Sequence, residues 1–189
     1  MRDQTIKRLV IAALLTAMTC IATMIIKIPT PTLGYIHLGD SFVLLCGFIL
    51  GPLPGALAAG IGSMFSDIFS GYASWAPATF IIKALTAGIA GLLFHKLSPV
   101  FSRKNVLIIF SGIIGEIIMV FGYFAYEAVL AAFGSGAFTG AALAAGIASS
   151  AAGIPFNVVQ GVTGIILSLL LLPILSKVPD IRECTRKCA

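Results

Sequence analysis

Apolar residues along the chain form long runs, which short breaks of polar residues, proline and glycine separate. A run of about 20 apolar residues is long enough to cross the hydrocarbon core of a bilayer as a helix. The pattern predicts an all-α membrane protein with six transmembrane helices, which form one transmembrane domain over residues 1–189. The predicted spans cover residues 6–26, 39–51, 54–70, 77–94, 106–133 and 154–175.

Proline and glycine set the predicted ends of several helices. Two prolines and a glycine within residues 29–34 end the first helix, and Pro77 is well placed to open the fourth. The second span is short for a full crossing, so it requires tilting or shielding by neighbouring helices. Residues 141–152 are uncharged and mostly alanine, and we expect an interfacial helix or an ordered loop there on the outer side. A seventh span would be too short and would place the basic C-terminal tail outside.

The charged residues support a membrane protein and suggest its orientation. Only 10% of the residues are charged, against about 25% in a soluble domain, and 59% are apolar. Most of the net charge of +5 comes from three clusters at the ends of apolar runs. The clusters are Arg2, Lys7 and Arg8; Lys96, Arg103 and Lys104; and Lys177, Arg182, Arg186 and Lys187. Basic segments mark the cytoplasmic side, so we expect both termini and the fourth connection there, and no nucleic-acid partner.

Ionisable residues within predicted spans are costly and mark candidate functional positions. Asp40 begins the second span, where it is either a helix N-cap or part of a pocket wall. Asp67 and Lys83 form a structural ion pair, or alternatively Lys83 contacts a polar or anionic part of a ligand. Glu116 lies two turns from Tyr123 on the fifth helix, and Glu127 is expected to be solvated near its outer end.

Further polar and aromatic residues map to the same outer half of the predicted bundle. Asn157 and Gln160 are three residues apart and share a helix face, where they serve as ligand hydrogen-bonding groups or as interhelical links. Tyr72 and Trp75 are either membrane-interface anchors or stacking surfaces for a flat ring. The pattern predicts a capture site open to the outside. Its candidate substrate-binding residues are Tyr35, His37, Asp40, Asp67, Tyr72, Trp75, Lys83, Tyr123, Asn157 and Gln160.

The sequence contains no motif for ATP binding or hydrolytic catalysis. A glycine-rich phosphate loop, His-Glu-x-x-His and Gly-x-Ser-x-Gly are all missing. His37 and His95 fall on separate predicted loops, which argues against a shared metal site, and we expect no cofactor. Cys184 and Cys188 in the basic tail leave lipidation or metal binding open. These observations favour a non-enzymatic binding subunit that depends on another protein for its energy source. The alternative is an autonomous secondary transporter or channel, which the carboxylates of Asp67, Glu116 and Glu127 keep open.

Several segments resemble the substrate-binding S component of bacterial energy-coupling factor (ECF) vitamin transporters. The resemblance is strongest to the riboflavin, pyridoxine and hydroxymethylpyrimidine branch, and it covers nearly the whole chain in order and spacing. The matching segments are Gly34-Tyr35-Ile36-His37-Leu38-Gly39-Asp40, residues 51–62, residues 66–72, Trp75-Ala76-Pro77, Ile82-Lys83 and residues 155–161.

The resemblance implies six transmembrane helices and a vitamin site near the outer face, formed by the loop after the first helix and by the fourth to sixth helices. It also implies a bacterial plasma-membrane location, a membrane T component and two cytoplasmic ATPases as partners. Family members dock on the T component through an Ala-x-x-x-Ala pattern. Ala13 and Ala17 match it, although internal packing explains such a pair equally well.

The substrates of this branch are flat heteroaromatic rings with polar edges. Tyrosine and tryptophan could wall such a ring, while Lys83, Asn157 and Gln160 supply hydrogen bonds. The small number of large side chains favours a pyridine or pyrimidine over riboflavin, which needs more room.

Overall fold

The computed structural model describes residues 2–25, 27–29, 35–136 and 139–188. Helices dominate these residues, with one short antiparallel hairpin near the N-terminal end. The elements are α1 (Arg2–Ile25), β1 (Lys27–Pro29), β2 (Tyr35–His37), α2 (Asp40–Leu50), α3 (Pro52–Phe69), α4 (Ala76–Leu97), α5 (Lys104–Gly134), α6 (Gly140–Ser150), a 3-10 turn (Ala151–Gly153), α7 (Ile154–Leu175) and α8 (Pro179–Cys188).

Four helical segments are long and apolar enough to cross a membrane. They are Gln4–Ile25, Ala76–Leu97, Lys104–Gly134 and Gly140–Leu175, the last combining α6, the 3-10 turn and α7. Large apolar side chains cover the outside of the bundle, and Leu9 and Ile25 are about 70% exposed (69% and 72%). Such a surface is suited to lipid and would be unusual in water.

The short helix α2 lies at the centre of the bundle. It has 11 residues, and Phe48, Leu44 and the other side chains from Val43 to Leu50 are buried. It packs against α1, α3, α4 and α7. A helix shielded in this way does not need the length of a full crossing, because neighbouring helices rather than lipid surround its ends.

Small residues let the neighbouring helices approach α2 closely. A Cβ added at Gly91 of α4 would lie 2.6 Å from the Gly47 carbonyl oxygen, and one added at Gly55 of α3 would lie 2.5 Å from the Cys46 oxygen. Helices without a hydrophobic driving force between them associate through such close backbone packing.

Residues 141–152 were expected to form an interfacial helix or an ordered loop. In the structure α6 is a regular helix, which begins where the Thr139 hydroxyl accepts a hydrogen bond from Ala142 N (3.1 Å). It packs along α5, where a side chain at Gly146 would overlap the Ala128 carbonyl oxygen. The end of α1 at Ile25 precedes residues 26 and 30–34, so most of the proline segment expected to end the first helix lies outside the described residues.

The C-terminal tail folds into a helix that the sequence did not predict. One side of α8 faces α1, where Lys7 Nζ lies 2.8 Å from Asp180 Oδ1. Cys184 is buried in the core, and Cys188 Sγ donates to the Leu50 carbonyl oxygen (3.2 Å). We call the part of the bundle that holds α8, the start of α1 and the α4–α5 connection the basic end. The opposite part, with the hairpin and the α3–α4 loop, is the pocket end.

Candidate functional site

A buried ion pair underlies the pocket end. Asp40 is the first residue of α2, and Gly39 rather than Asp40 occupies the N-cap position. Lys83 of α4 contacts its carboxylate, and both side chains are 0% exposed. Lys83 therefore pairs with Asp40 and not with Asp67. An ion pair held away from solvent fixes the positions of both partners, because separating them would leave a buried charge uncompensated.

The Gln160 side chain connects this ion pair to the hairpin. Its Nε2 donates to Asp40 Oδ2 (2.7 Å), and its Oε1 accepts the His37 backbone N–H (2.9 Å). Both ends of the amide are therefore engaged, which fixes its orientation. The His37 Nδ1 atom accepts the Gly39 N–H (3.0 Å). Burial, reinforced by the Lys83 charge, lowers the pKa of His37 to about 3, so the imidazole is neutral at physiological pH.

The hairpin is also tied to the end of α3. The Tyr35 hydroxyl donates to Asp67 Oδ1 (2.6 Å), and the Lys27 ammonium contacts the Ser70 hydroxyl. Burial and the neighbouring Asp67 carboxylate raise the pKa of Tyr35, which stays protonated as a donor. The Tyr35 ring lies 4.9 Å from that of Tyr72.

Aromatic rings form the opposite wall. Trp75 is only 8% exposed, so it is not an interface anchor on the surface. Its ring lies 6.4 Å from Tyr123 and 5.3 Å from Tyr126, whose hydroxyl donates to the Ser74 carbonyl oxygen (2.6 Å). The Lys83 ammonium lies 5.1 Å from the centre of the Tyr123 ring, within range of a cation–π interaction.

These groups enclose a cavity of ≈ 30 Å³ at the pocket end. It is lined by Tyr35, His37, Asp67, Tyr72, Trp75, Thr79, Tyr123, Glu127, Asn157 and Gln160. Eight of the ten residues proposed from the sequence are among them, while Asp40 and Lys83 lie beneath Gln160 and Tyr123. The cavity combines aromatic walls, two amides and two carboxyl groups, which suits a flat ligand with polar edges.

Two lining residues were absent from the sequence-based set. Thr79 lies one turn before Lys83 on α4 and accepts a hydrogen bond from the Tyr123 hydroxyl (3.3 Å). Glu127 lies one turn after Tyr123 on α5 and is 7% exposed, so the expectation that it is solvated was wrong. In both cases the only sequence signal was the i, i+4 spacing to a residue already selected.

Glu116 lies outside the cavity lining. It is 4% exposed, and neither carboxylate oxygen has a hydrogen bond of good geometry among the described residues. Gly161 and Gly164 of α7 make room for it, since a Cβ at these positions would lie 3.2 Å and 3.3 Å from its two oxygens. A Cβ at Gly164 would also lie 2.9 Å from Asp40 Cβ. The two glycines thus let α7 approach both acidic side chains.

Among the described residues, no group of three or more histidine, cysteine and carboxylate side chains could hold a metal ion. Neither tail cysteine forms a disulfide with a described residue, and both pack at the basic end.

Comparisons with known proteins agree with this architecture. The family model of the S component of ECF-type riboflavin transporters matches residues 3–177. A Pyrococcus woesei protein described as an uncharacterized protein in gap 3'region is 35% identical over 148 residues, which are 78% of this chain and 86% of that protein. A solved structure described as the S component of a bacterial ECF transporter aligns with a TM-score of 0.65 over 92% of this chain and 97% of its own.

The solved structure is 23% identical, so it supports the fold alone. The family match covers nearly the whole chain, and the family is a substrate-binding transporter component and not an enzyme family. The chain therefore belongs to the family of S components of ECF-type riboflavin transporters.

Proposed function

We propose that the protein binds riboflavin, or a closely related flat heteroaromatic vitamin, in the cavity at the pocket end and delivers it for uptake. The observation that carries this proposal is the convergence of Tyr35, Tyr72, Trp75 and Tyr123 with the amides of Asn157 and Gln160. The rings offer stacking surfaces and the amides offer hydrogen bonds to the ring edges. The riboflavin family match supports the larger ring over the pyridine or pyrimidine that the sequence favoured.

The cavity volume of ≈ 30 Å³ is far below that of small-molecule sites, which usually have at least about 300 Å³. Any of the candidate vitamins must therefore displace side chains on entry. Tyr35 and Tyr72 are suited to move, because they belong to the hairpin and to the α3–α4 loop and not to a packed helix. Binding would then break the bond between Tyr35 and Asp67.

The proposed topology has six crossings in a single domain, formed by α1, α2, α3, α4, α5 and α7. Both termini and the α4–α5 connection lie in the cytoplasm of a bacterial cell, and the pocket end faces outward. The distribution of basic residues supports this orientation, because nearly all of them are at the basic end. The burial of α2 among its neighbours supports its inclusion as a short crossing.

The proposed partners are a membrane T component and two cytoplasmic ATPases, which would supply the energy that this chain has no motif to provide. Ala13 and Ala17 support a docking role. They line a shallow groove of ≈ 400 Å³ between α1 and α3, whose other lining residues include Gly62 and Phe65. Small residues in such a groove permit close contact with a partner helix.

Titration of the purified protein with riboflavin tests the binding function. Stacking against tyrosine and tryptophan should quench flavin fluorescence, with one vitamin bound per chain and no requirement for ATP. Parallel titrations with pyridoxine and hydroxymethylpyrimidine decide between the substrate classes. Binding of none of the three would contradict the proposal. Solute uptake by proteoliposomes that contain this chain alone would instead support an autonomous transporter.

A further inference from the structure

The basic end contains a second cavity, far from the vitamin site in the fold. It has a volume of ≈ 390 Å³ and lies where the α4–α5 connection, the start of α5 and α8 meet. Lys104, Arg182 and Arg186 contribute three cationic side chains to its wall, and Ser102, Ser176 and Thr185 contribute hydroxyl groups. Phe94, Phe101 and Leu107 line its apolar part.

The two arginines of α8 are separated from the acidic residues of the same helix. Asp180 and Glu183 face α1, where they contact Lys7 and Gln4. Arg182 and Arg186 are four residues apart, so they share the other face and point to the cavity. Among the described residues, no carboxylate lies within ion-pair distance of these two guanidinium groups.

His95 is a buried residue beside these cations. It lines the same cavity and is only 6% exposed. Both of its ring nitrogens are shielded from solvent, and the backbone of Gly47 and Phe48 in α2 lies close to the ring. The ring therefore closes the inner side of the cavity, and contacts to a ligand come from the cations and hydroxyl groups of the wall.

The N-terminus of α5 adds to the positive potential. This helix has 31 residues and begins at Lys104, and Arg103 at its N-cap position makes no side-chain capping bond. Uncapped N–H groups and the helix dipole favour an anion at this position.

We propose that this cavity binds a phosphate group through Arg182, Arg186 and Lys104, with the hydroxyl groups of Ser102 and Thr185 beside them. Paired arginines and a lysine are the side chains that recognise phosphate most often. The phosphate could belong to the headgroup of an anionic phospholipid or to a free phosphorylated compound. The lipid source fits the apolar stripe of Val106, Phe110 and Ile113, which are 41–45% exposed along α5 and could hold an acyl chain.

Two probes measured on the full-length protein in nanodiscs test the proposal and distinguish the sources. In the first, the protein is released from nanodiscs that contain phosphatidylglycerol and phosphatidylcholine. Native mass spectrometry then reports which lipid the protein retains. The second is inorganic phosphate added to protein in phosphatidylcholine alone, followed by ³¹P NMR line broadening. The Arg182→Ala/Arg186→Ala variant should bind the probe with an affinity at least about tenfold lower. The matched control is Lys96→Ala/Lys177→Ala, which removes the same charge from exposed basic residues outside the cavity lining.

Retention of phosphatidylglycerol that depends on the arginines assigns the site to a lipid headgroup, and phosphate binding that depends on them assigns it to a free anion. Either result supports the site. Binding of neither probe would overturn the proposal, as would an equal loss in the Lys96/Lys177 control. If the double arginine variant does not fold, Lys104→Ala provides the same comparison with one charge removed. None of these measurements depends on riboflavin binding.

Discussion

At the scale of single residues, one buried polar network joins four separate parts of the chain beneath the cavity. Lys83 of α4 contacts Asp40 of α2, Gln160 of α7 donates to Asp40, and the His37 backbone donates to Gln160. The network holds the hairpin in place from below, and it links the cavity at the pocket end to the packing of α2. Its members therefore affect both stability and binding.

Replacing Gln160 with alanine tests this link. The change leaves Asp40 Oδ2 and the His37 N–H without their partners, and we expect a loss of about 1–3 kcal/mol in the free energy of unfolding. Riboflavin affinity should fall at least about tenfold, because the hairpin and one lining amide are lost together. Thermal unfolding and flavin titration measure the two effects. Thr163→Ala on the same helix, where the exposed hydroxyl donates to the Val159 carbonyl oxygen one turn earlier, is the control and should change neither.

Removing either partner of the Asp40–Lys83 ion pair should lower the free energy of unfolding more than Gln160→Ala does. Asp40→Asn or Lys83→Met leaves one charge buried and uncompensated, at a cost of about 3–5 kcal/mol. The double variant should be less destabilised than the sum of the two, since neither charge remains. A double-mutant cycle of unfolding free energies provides the measurement. Additive effects would show that the two side chains do not stabilise each other.

His37 predicts a dependence of stability on pH. Its folded pKa of about 3 lies below the unfolded value of about 6.5, so the unfolded state binds more protons between these values. The His37 contribution is fully present above about pH 6.5 and is lost as pH falls towards 3. We expect the free energy of unfolding to drop by about 2 kcal/mol between pH 7 and pH 4.5. His37→Asn, whose side-chain oxygen can accept the Gly39 N–H, should lack this component. An unchanged pH profile in that variant would contradict the prediction.

At the scale of elements, α2 organises the bundle through close backbone contacts. A methyl group at Gly47 would overlap the Ala87 carbonyl oxygen, which cannot move without shifting α4. Gly47→Ala should therefore cost about 2 kcal/mol or more of stability or prevent folding. Gly88→Ala is the matched control on α4, because its Cβ would lie 3.3 Å from the Ala56 methyl group and 3.5 Å from the Pro52 carbonyl oxygen, without overlap. Equal thermal unfolding of both variants and the parent protein would contradict this account of α2 packing.

The sequence predicted helices where apolar runs were long, but it did not predict α8. Its apolar residues are few, and Asp180, Arg182, Glu183 and Arg186 made the tail resemble a solvated charge cluster. The helix forms because Cys184 is buried in the core and Lys7 pairs with Asp180. The Lys7–Asp180 contact joins residues 173 positions apart, which no local pattern reveals.

The candidate site was likewise predictable from local sequence spacing only in part. Asn157 and Gln160 could be placed on one face because they are three residues apart on one helix. The partner of Lys83 could not be chosen in this way, since Asp67 and Asp40 both lie on neighbouring helices and only the packing of α2 against α4 decides. Trp75 could equally be an anchor or a pocket wall, and burial against Tyr126 decides between them.

At the scale of the whole molecule, the two ends of the bundle differ in chemistry. The pocket end carries aromatic rings and amides, and the basic end carries most of the cations. The groove beside Ala13 and Ala17 lies on a third surface, between α1 and α3. This separation predicts that vitamin binding and partner assembly can be disrupted independently.

Ala13→Leu/Ala17→Leu tests that separation. The added side chains fill the groove, and we expect assembly with the T component to fall at least about tenfold while riboflavin affinity stays unchanged. Pull-down of the T component and flavin titration measure the two. Leu14→Phe, at a position 60% exposed and outside the groove, should leave both intact. Unchanged assembly of the Ala13→Leu/Ala17→Leu variant with the T component would exclude this groove as the docking surface.

The central claim is that this chain is a riboflavin-binding subunit, and the small molecule that copurifies with it tests the claim most directly. The protein is extracted in detergent from cells supplied with riboflavin, and the bound compound is identified and counted by mass spectrometry. We predict close to one riboflavin per chain, and much less in the Gln160→Ala variant. A protein that carries no flavin and also takes up none when riboflavin is added would contradict the claim.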